Sequence, residues 1–351
     1  GVGSNLGIFD PYTVLELNFY CDTYGIDTIS FGTATAFAMD CFESGVIGLD
    51  QTGGLDLSFG NRWSALTLLH QMAAGEGFGA VIGKGIRNMK ERFVRDYGAD
   101  AQFLQDIGME SKGLEFSEYM TKESLAQQGG YGLALKGPQH DEAWLIFLDQ
   151  VHNLMPTFEQ KSENLHWFPM IRTWFGLCGL CKLPWNDIVP ADNNETEEPA
   201  KVMGHMKLYA EYFSSVTGRQ VSPDDLVVIS EKVYNFQRLF NLKMGFGRRA
   251  QDQIPYRAMG PATVLEYESR QDRYDQELQE KYGLDVSGLD SKAKLAVLRE
   301  KREEQYEKLT DAVYARRGWT PDGIPTLATV KRLGIDYPDV VEPLPRHGVT
   351  Q

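Results

Sequence analysis

Cysteine is scarce in this chain: Cys21, Cys41, Cys178 and Cys181 are the only four in 351 residues. So sparse a set builds no disulfide framework, which excludes a small stapled secreted scaffold and fits a reducing cytoplasm. Thiols in such a compartment serve as buried fillers, metal ligands or nucleophiles. Positive charge is also short. Lys plus Arg number 35 against 49 Asp plus Glu, a net charge of −14. A surface of that sign repels phosphate backbones and argues against a nucleic-acid partner, while leaving room for a local basic pocket. No apolar run reaches the ~18 residues expected of a membrane span. No signal-peptide pattern is evident. Short β signals are few, Val46-Ile47-Gly48-Leu49 being one. No internal repeat is present.

What remains is a chain rich in helix punctuation, long enough for two domains of ordinary size. Asp10-Pro11 is an N-cap and N1 pair, followed by Val14, Leu17 and Cys21 on one face and by Gly25 as a C-cap. Asp27 is placed to cap a second helix bearing Ile29, Phe37, Met39 and Phe42, ending near Gly45. Asn61 is placed to cap a third, with Trp63, Leu66, Leu69 and Met72. The glycine-rich stretch 75–85 follows a helix and lacks Gly-Lys-Ser/Thr, so it reads as a helix–helix turn and not as a phosphate loop. Residues 186–200 are acidic and Pro-punctuated, the mark of an exposed loop. Ser222-Pro223 opens another helix with Val227, Ile229, Val233, Phe236 and Leu239. Residues 264–315, dense in Glu, Lys, Arg and Gln, read as a solvated helix face. The fold class expected is mostly α.

Three patterns can carry chemistry. In Cys21-Asp22-Thr23-Tyr24-Gly25-Ile26-Asp27-Thr28, two helices meet at a glycine turn with an acid on each side. A carboxylate at a helix C-terminus faces an unfavourable dipole, so Asp22 wants a donor-rich partner such as a pterin. Asp27 is equally explained as a cap. Gly176-Leu177-Cys178-Gly179-Leu180-Cys181 contains a C-x-x-C pair, half of a four-thiolate site. Its bland reading is two small residues in a helix contact. Among six histidines, His140 stands on the turn Lys136-Gly137-Pro138-Gln139-His140, with Asp141 and Glu142 following, and is the candidate for proton transfer. Arg248, Arg249, Arg316 and Arg317 are candidate anion contacts in turns that otherwise read as architectural.

Taken together, these segments resemble the aldehyde:ferredoxin oxidoreductase family. The landmarks run in order from Gly3-Ser4-Asn5 through the DxxGxD box, Lys112-Gly113-Leu114-Glu115 and the His140 turn. They continue through Phe240-Asn241 to Asp252 and end in Arg317-Gly318-Trp319 and Gly323-Ile324-Pro325-Thr326. The resemblance implies a tungsten bis-pterin cofactor and a nearby [4Fe-4S] cluster. It implies two multihelical domains enclosing that site, split as 1–112 and 113–351, with a β-rich N-terminal domain absent from this chain. The opening Gly1-Val2-Gly3 fits that expectation, reading like the interior of a longer protein.

Asp22 and Asp27, helped by Ile26 and Thr28, are then expected to hold one pterin. The second box, DxxGLC in the family, fits two registers here. One starts at Thr173 and ends Leu177-Cys178; the other starts at Gly176 and ends at Cys181. Either cysteine is thus the candidate fourth cluster ligand; Cys178 is favoured because Thr173 can still hydrogen-bond, which makes Thr173 and Leu177 the cofactor-binding candidates of that box. Cys21 beside Asp22 is a candidate tungsten ligand, since a soft thiolate suits this metal; a buried filler is the alternative. The other cluster cysteines are expected upstream.

Two departures bear on substrate: KGPQH replaces the usual RGxCH, and Tyr119-Met120-Thr121 replaces a tyrosine-aspartate-proline. Both point away from ordinary aldehydes, and NFYCDTYGIDTISFG is most similar to the class II benzoyl-CoA reductase branch. The implied activity is reductive dearomatisation of benzoyl-CoA to a cyclic diene. Aldehyde oxidation with ferredoxin as acceptor is the alternative, and a cofactor-free helical interaction subunit is the reading from another class. Expected partners are an acyl-CoA or aldehyde substrate and a ferredoxin-like or iron–sulfur electron-transfer subunit, in an oligomeric complex.

Overall fold

The computed structural model describes residues 1–181 and 191–350. Of the exposed loop expected at 186–200, residues 186–190 lie outside the described ones. The rest is turns and two short 3₁₀ helices, Asn193–Glu195 and Pro199–Lys201. The chain forms two compact units. The first comprises Gly1–Glu123, Lys136–Gln139 and Ile254–Glu303; the second comprises Ser124–Leu135, His140–Gln253 and Glu304–Gln351. A single cut between 112 and 113 does not describe these units, because residues 254–303 belong with the first.

The first unit carries α1 (Pro11–Tyr24), α2 (Thr28–Glu43), α3 (Arg62–Ala74) and α4 (Gly85–Tyr97). The expected caps hold. Asp10, Asp27 and Asn61 side chains accept from the amides of Thr13, Ser30 and Ser64 respectively. Helix α2 is the centre of the unit. Nine of its residues, from Phe31 to Cys41, are buried, so it shows no polar face over that stretch. Its buried residues share one core with Leu17 and Cys21 of α1, Leu66 and Leu69 of α3, and Met89 and Phe93 of α4. Gly32 is obligatory there: a Cβ would stand 2.5 Å from the Gly1 carbonyl oxygen.

Val46 to Leu49 is not a strand; it is a bend running into the short helix Leu49–Thr52. Among the described residues the sheet is one hairpin, β1 (Glu110–Ser111) antiparallel to β2 (Leu114–Glu115). Its turn residues Lys112 and Gly113 take φ of 58° and 79°, the left-handed geometry a two-residue hairpin requires. Glu115 in that hairpin caps α4, its Oε1 accepting from the Ile86 amide at 3.0 Å. The Lys112–Glu115 landmark is therefore architectural.

The second unit carries α5 (Phe158–Leu177), α6 (Met203–Thr217) and α7 (Pro223–Lys243), and the end of α8 (Ser291–Arg317). Its core joins Phe168, Ile171, Trp174 and Phe175 of α5 to Met206 of α6, Leu226 and Tyr234 of α7, and Leu309 and Val313 of α8. Pro169 lies inside α5, where proline lacks the N–H that would reach the carbonyl four residues back. That carbonyl, of Leu165, accepts instead from the Arg317 guanidinium at 3.0 Å.

Charged side chains account for the misjudged faces. Ile229 and Phe236 are exposed on α7, while Glu231, Asn235 and Arg238 are buried. In 264–315, Lys294 and Arg302 are buried through ion pairs with Asp275 and Glu277. A hydropathy pattern cannot register a buried charge that has found its partner.

Candidate functional site

The two boxes singled out in the sequence share one backbone device. Helix α1 ends on Gly25 at φ 68°, with Gly25 N–H donating to the Asp22 carbonyl (3.3 Å) and Ile26 N–H to the Cys21 carbonyl (2.9 Å). This is a Schellman turn, in which a glycine takes the left-handed position that L side chains avoid. Helix α5 ends the same way. Gly179 has φ 68°, Gly179 N–H donates to Gly176 O (3.2 Å), and Leu180 N–H donates to Phe175 O (3.0 Å). Matching the two turns residue by residue places Asp22 on Gly176, Gly25 on Gly179 and Asp27 on Cys181. The register beginning at Thr173 would make Gly176 the turn glycine, but Gly176 is helical.

In the first box, Asp22 is exposed and its carboxylate accepts from the Asn18 amide at 3.2 Å. Asp27 is exposed and caps α2 through Ser30 N–H at 2.7 Å. Ile26 is half-buried against the core of the first unit, and Thr28 is half-buried as the first residue of α2. A carboxylate has about four lone-pair sites. Each acid therefore keeps acceptor capacity beyond that one bond, as a ligand rich in N–H donors requires, and so the residues fit a pterin edge. Cys21 is fully buried, and burial, then Asp22 and Asp27, pushes its thiol up to about 11. Tyr24 at the same helix end shares a hydrogen bond with His70 Nδ1 at 2.9 Å. That tie is invisible in the sequence, because nothing local pairs residues 24 and 70.

In the second box, Thr173 is half-buried, and Leu177, Cys178 and Cys181 are exposed. Two exposed thiols are not the small buried residues of a helix contact. No group of three or more His, Cys, Asp or Glu able to hold a metal ion occurs among the described residues. The described residues thus offer a cluster at most part of a ligand set. At Gly176, the position matched to Asp22, an added Cβ would meet nothing within 4 Å.

His140 is half-buried and starts a well-braced segment. Glu142 accepts from the Leu135 amide (3.1 Å) and lies 2.6 Å from the Tyr234 hydroxyl, which also lies 3.1 Å from the Leu133 carbonyl. Burial raises the Glu142 pKa above its ordinary 4.5. A protonated Glu142 satisfies everything: it donates to Tyr234, and Tyr234 donates to Leu133. Because the folded pKa is raised, this arrangement contributes stability below pH 4.5 and loses it as pH rises through the folded value. Glu142→Gln is expected to keep the neutral bonds and flatten that loss, as measured by urea unfolding across pH.

The four candidate anion-binding arginines are already engaged. Arg248 pairs with Asp322, Arg249 with Glu307 and Asp311, and Arg316 with Glu159 and Glu163. Arg317 stacks on Tyr234 and Trp319 while filling the Pro169 gap.

The geometry defines a helical protein whose two turn-ended helices present acids in one case and thiols in the other. The family model for aldehyde ferredoxin oxidoreductase, domains 2 & 3, matches residues 1–335. The chain belongs to that family. It is 26% identical over 266 residues to the tungsten-containing aldehyde ferredoxin oxidoreductase of Pyrococcus abyssi, covering 74% of this chain and 40% of that protein. With the same enzyme of Pyrococcus furiosus the identity is 27% over 265 residues, covering 73% and 39%. The chain therefore spans about two fifths of the length of the curated relatives it matches. Among solved structures, the active site complex BamBC of benzoyl coenzyme A reductase with 1,5-dienoyl-CoA superposes with a TM-score of 0.60. The identity is 17%, and the match covers 97% of this chain and 48% of that one. No helix among the described residues is long and apolar enough to cross a membrane.

Proposed function

We propose that the chain is the helical part of the catalytic subunit of a tungsten bis-pterin, iron–sulfur oxidoreductase that reduces benzoyl-CoA to a cyclic diene carboxyl-CoA. The observation carrying the redox reading is the pair of matched Schellman turns, one presenting Asp22 and Asp27 and the other Cys178 and Cys181. Asp22 and Asp27 accept from one pterin, with Ile26 and Thr28 shaping the turn. When bound, the cofactor supplies electron transfer at low potential. The matched register supports Cys181 as the thiolate contributed to a [4Fe-4S] cluster, with Cys178 at the helix end. Two electrons from a ferredoxin-like or iron–sulfur partner and two protons add to the ring. His140 delivers one proton from its ring nitrogen to carbon and is reprotonated from water, and water supplies the second proton.

The benzoyl-CoA reading rests on KGPQH, on Tyr119-Met120-Thr121 and on the wording of NFYCDTYGIDTISFG, with the BamBC likeness supporting the fold. Aldehyde oxidation is the second reading, favoured by the identity of the curated relatives. The deciding test is an anaerobic assay of the full-length enzyme with reduced dye and benzoyl-CoA, set against oxidation of simple aldehydes with an oxidised dye. Turnover of aldehydes alone would replace the first reading by the second.

Cys21 is proposed as a direct tungsten ligand. Cys21 would then hold the metal as a thiolate, its proton released to water. In Cys21→Ala the tungsten X-ray absorption spectrum is expected to lose one sulfur scatterer. Tungsten retained with an unchanged spectrum makes Cys21 a core filler.

A further inference from the structure

Arg172 lies on α5 one residue before Thr173 and is 1% exposed. A guanidinium carries five N–H donors, and taking it out of water is costly unless they are used. Two of its bonds go to consecutive main-chain carbonyls of the His140 turn: Nε donates to Asp141 O at 2.7 Å, and a terminal NH2 donates to His140 O at 3.5 Å. These bonds grip the backbone of the turn and do not involve the imidazole ring. On the far side, Glu142 ties the same segment to Leu135 and Tyr234. The segment is therefore held at residues 140, 141 and 142 by side chains from α5 and α7. The Arg172 cation also interacts electrostatically with Asp141 and Cys181.

We propose that Arg172 is a positioning residue for proton transfer: it fixes the His140 backbone from the helix that leads into the cysteine pair. The inference rests on the reading that gives His140 that role. A fixed backbone matters because a displacement of about 1 Å at a reacting group costs about a hundredfold in rate.

The test uses the full-length holoenzyme with Arg172→Met and Arg172→Lys, each alone and combined with His140→Asn. Four things are read: kcat, KM, metal content and amide hydrogen exchange at residues 140–142. Arg172→Met is expected to speed exchange there and to lower kcat about tenfold to a hundredfold with KM and metals unchanged. Arg172→Lys, which keeps one charge-assisted bond, is expected to fall between, and it serves as the readout if the methionine variant does not fold. In the His140→Asn background, Arg172→Met is expected to add less than about twofold. Fully additive losses, or unaltered exchange at 140–142, overturn the proposal. If His140→Asn is fully active while Arg172→Met still speeds exchange, the catalytic reading of His140 fails and the hold on the turn stands.

Discussion

Replacing Asp22 and Asp27 together by alanine is expected to strip the full-length enzyme of tungsten by at least about tenfold, with each single change intermediate, since a charge-assisted hydrogen bond contributes about 1.5–3 kcal/mol. The two positions are not equivalent. Asp22 caps no helix, and its carboxylate accepts from the Asn18 amide at 3.2 Å. Its replacement should cost metal and leave stability nearly unchanged. Asp27 caps α2, and its loss should also cost about 1 kcal/mol of stability. Asp27→Asn separates the roles, because an amide oxygen still caps while the carboxylate charge is gone. Tungsten content by elemental analysis and thermal unfolding, measured on the same samples, check the division. If both single variants keep full tungsten, the acids are caps and surface and nothing more.

The second large effect is on stability and lies away from the cofactor boxes. Arg238 and Asp252 form a fully buried bidentate pair at 3.1 and 2.8 Å. Arg238 Nε donates to the Gly323 carbonyl at 2.9 Å, its guanidinium stacks on Trp319, and Tyr314 donates to Asp252 at 2.5 Å. Burial opposes the charge on Arg238, and Asp252 more than offsets it, so its pKa is raised. Arg238→Met leaves Asp252 as a buried carboxylate with its main partner gone, at an expected cost of about 3–5 kcal/mol. Asp252→Asn, which keeps hydrogen-bonding atoms in place, should cost less. Denaturant unfolding of both variants checks the order. Gly323 belongs to the same cluster: a Cβ there would meet the Arg238 terminal nitrogen at 2.4 Å, and its φ is 76°.

These two clusters show which parts of the molecule were legible. Caps and glycine stops are local, so Asp10, Asp27, Asn61 and Ser222 were readable as helix starts and Gly25 as a stop. The landmark residues Asp252, Trp319 and Gly323 were readable as architecture, but not as one cluster around Arg238, because their meeting is tertiary. Hydropathy put Ile229 and Phe236 on the buried face of α7, where Glu231, Asn235 and Arg238 are buried instead. The same blindness made Arg317 look like an anion contact, when it answers the carbonyl that Pro169 leaves open. In the second box, two registers were equally allowed by residue type. Only the left-handed φ of Gly179, with Gly176 in helix, tells the two registers apart, and it is the ground on which Cys181 is proposed.

The central claim is that Asp22 and Asp27, with the cysteine pair, serve a tungsten bis-pterin and an iron–sulfur cluster. Metal analysis of the anaerobically purified full-length protein tests it most directly. The account predicts tungsten and iron together, with tungsten falling in the Asp22→Ala/Asp27→Ala variant and iron falling in Cys181→Ala. A well-folded full-length protein holding neither metal would contradict it and leave a cofactor-free helical subunit in its place.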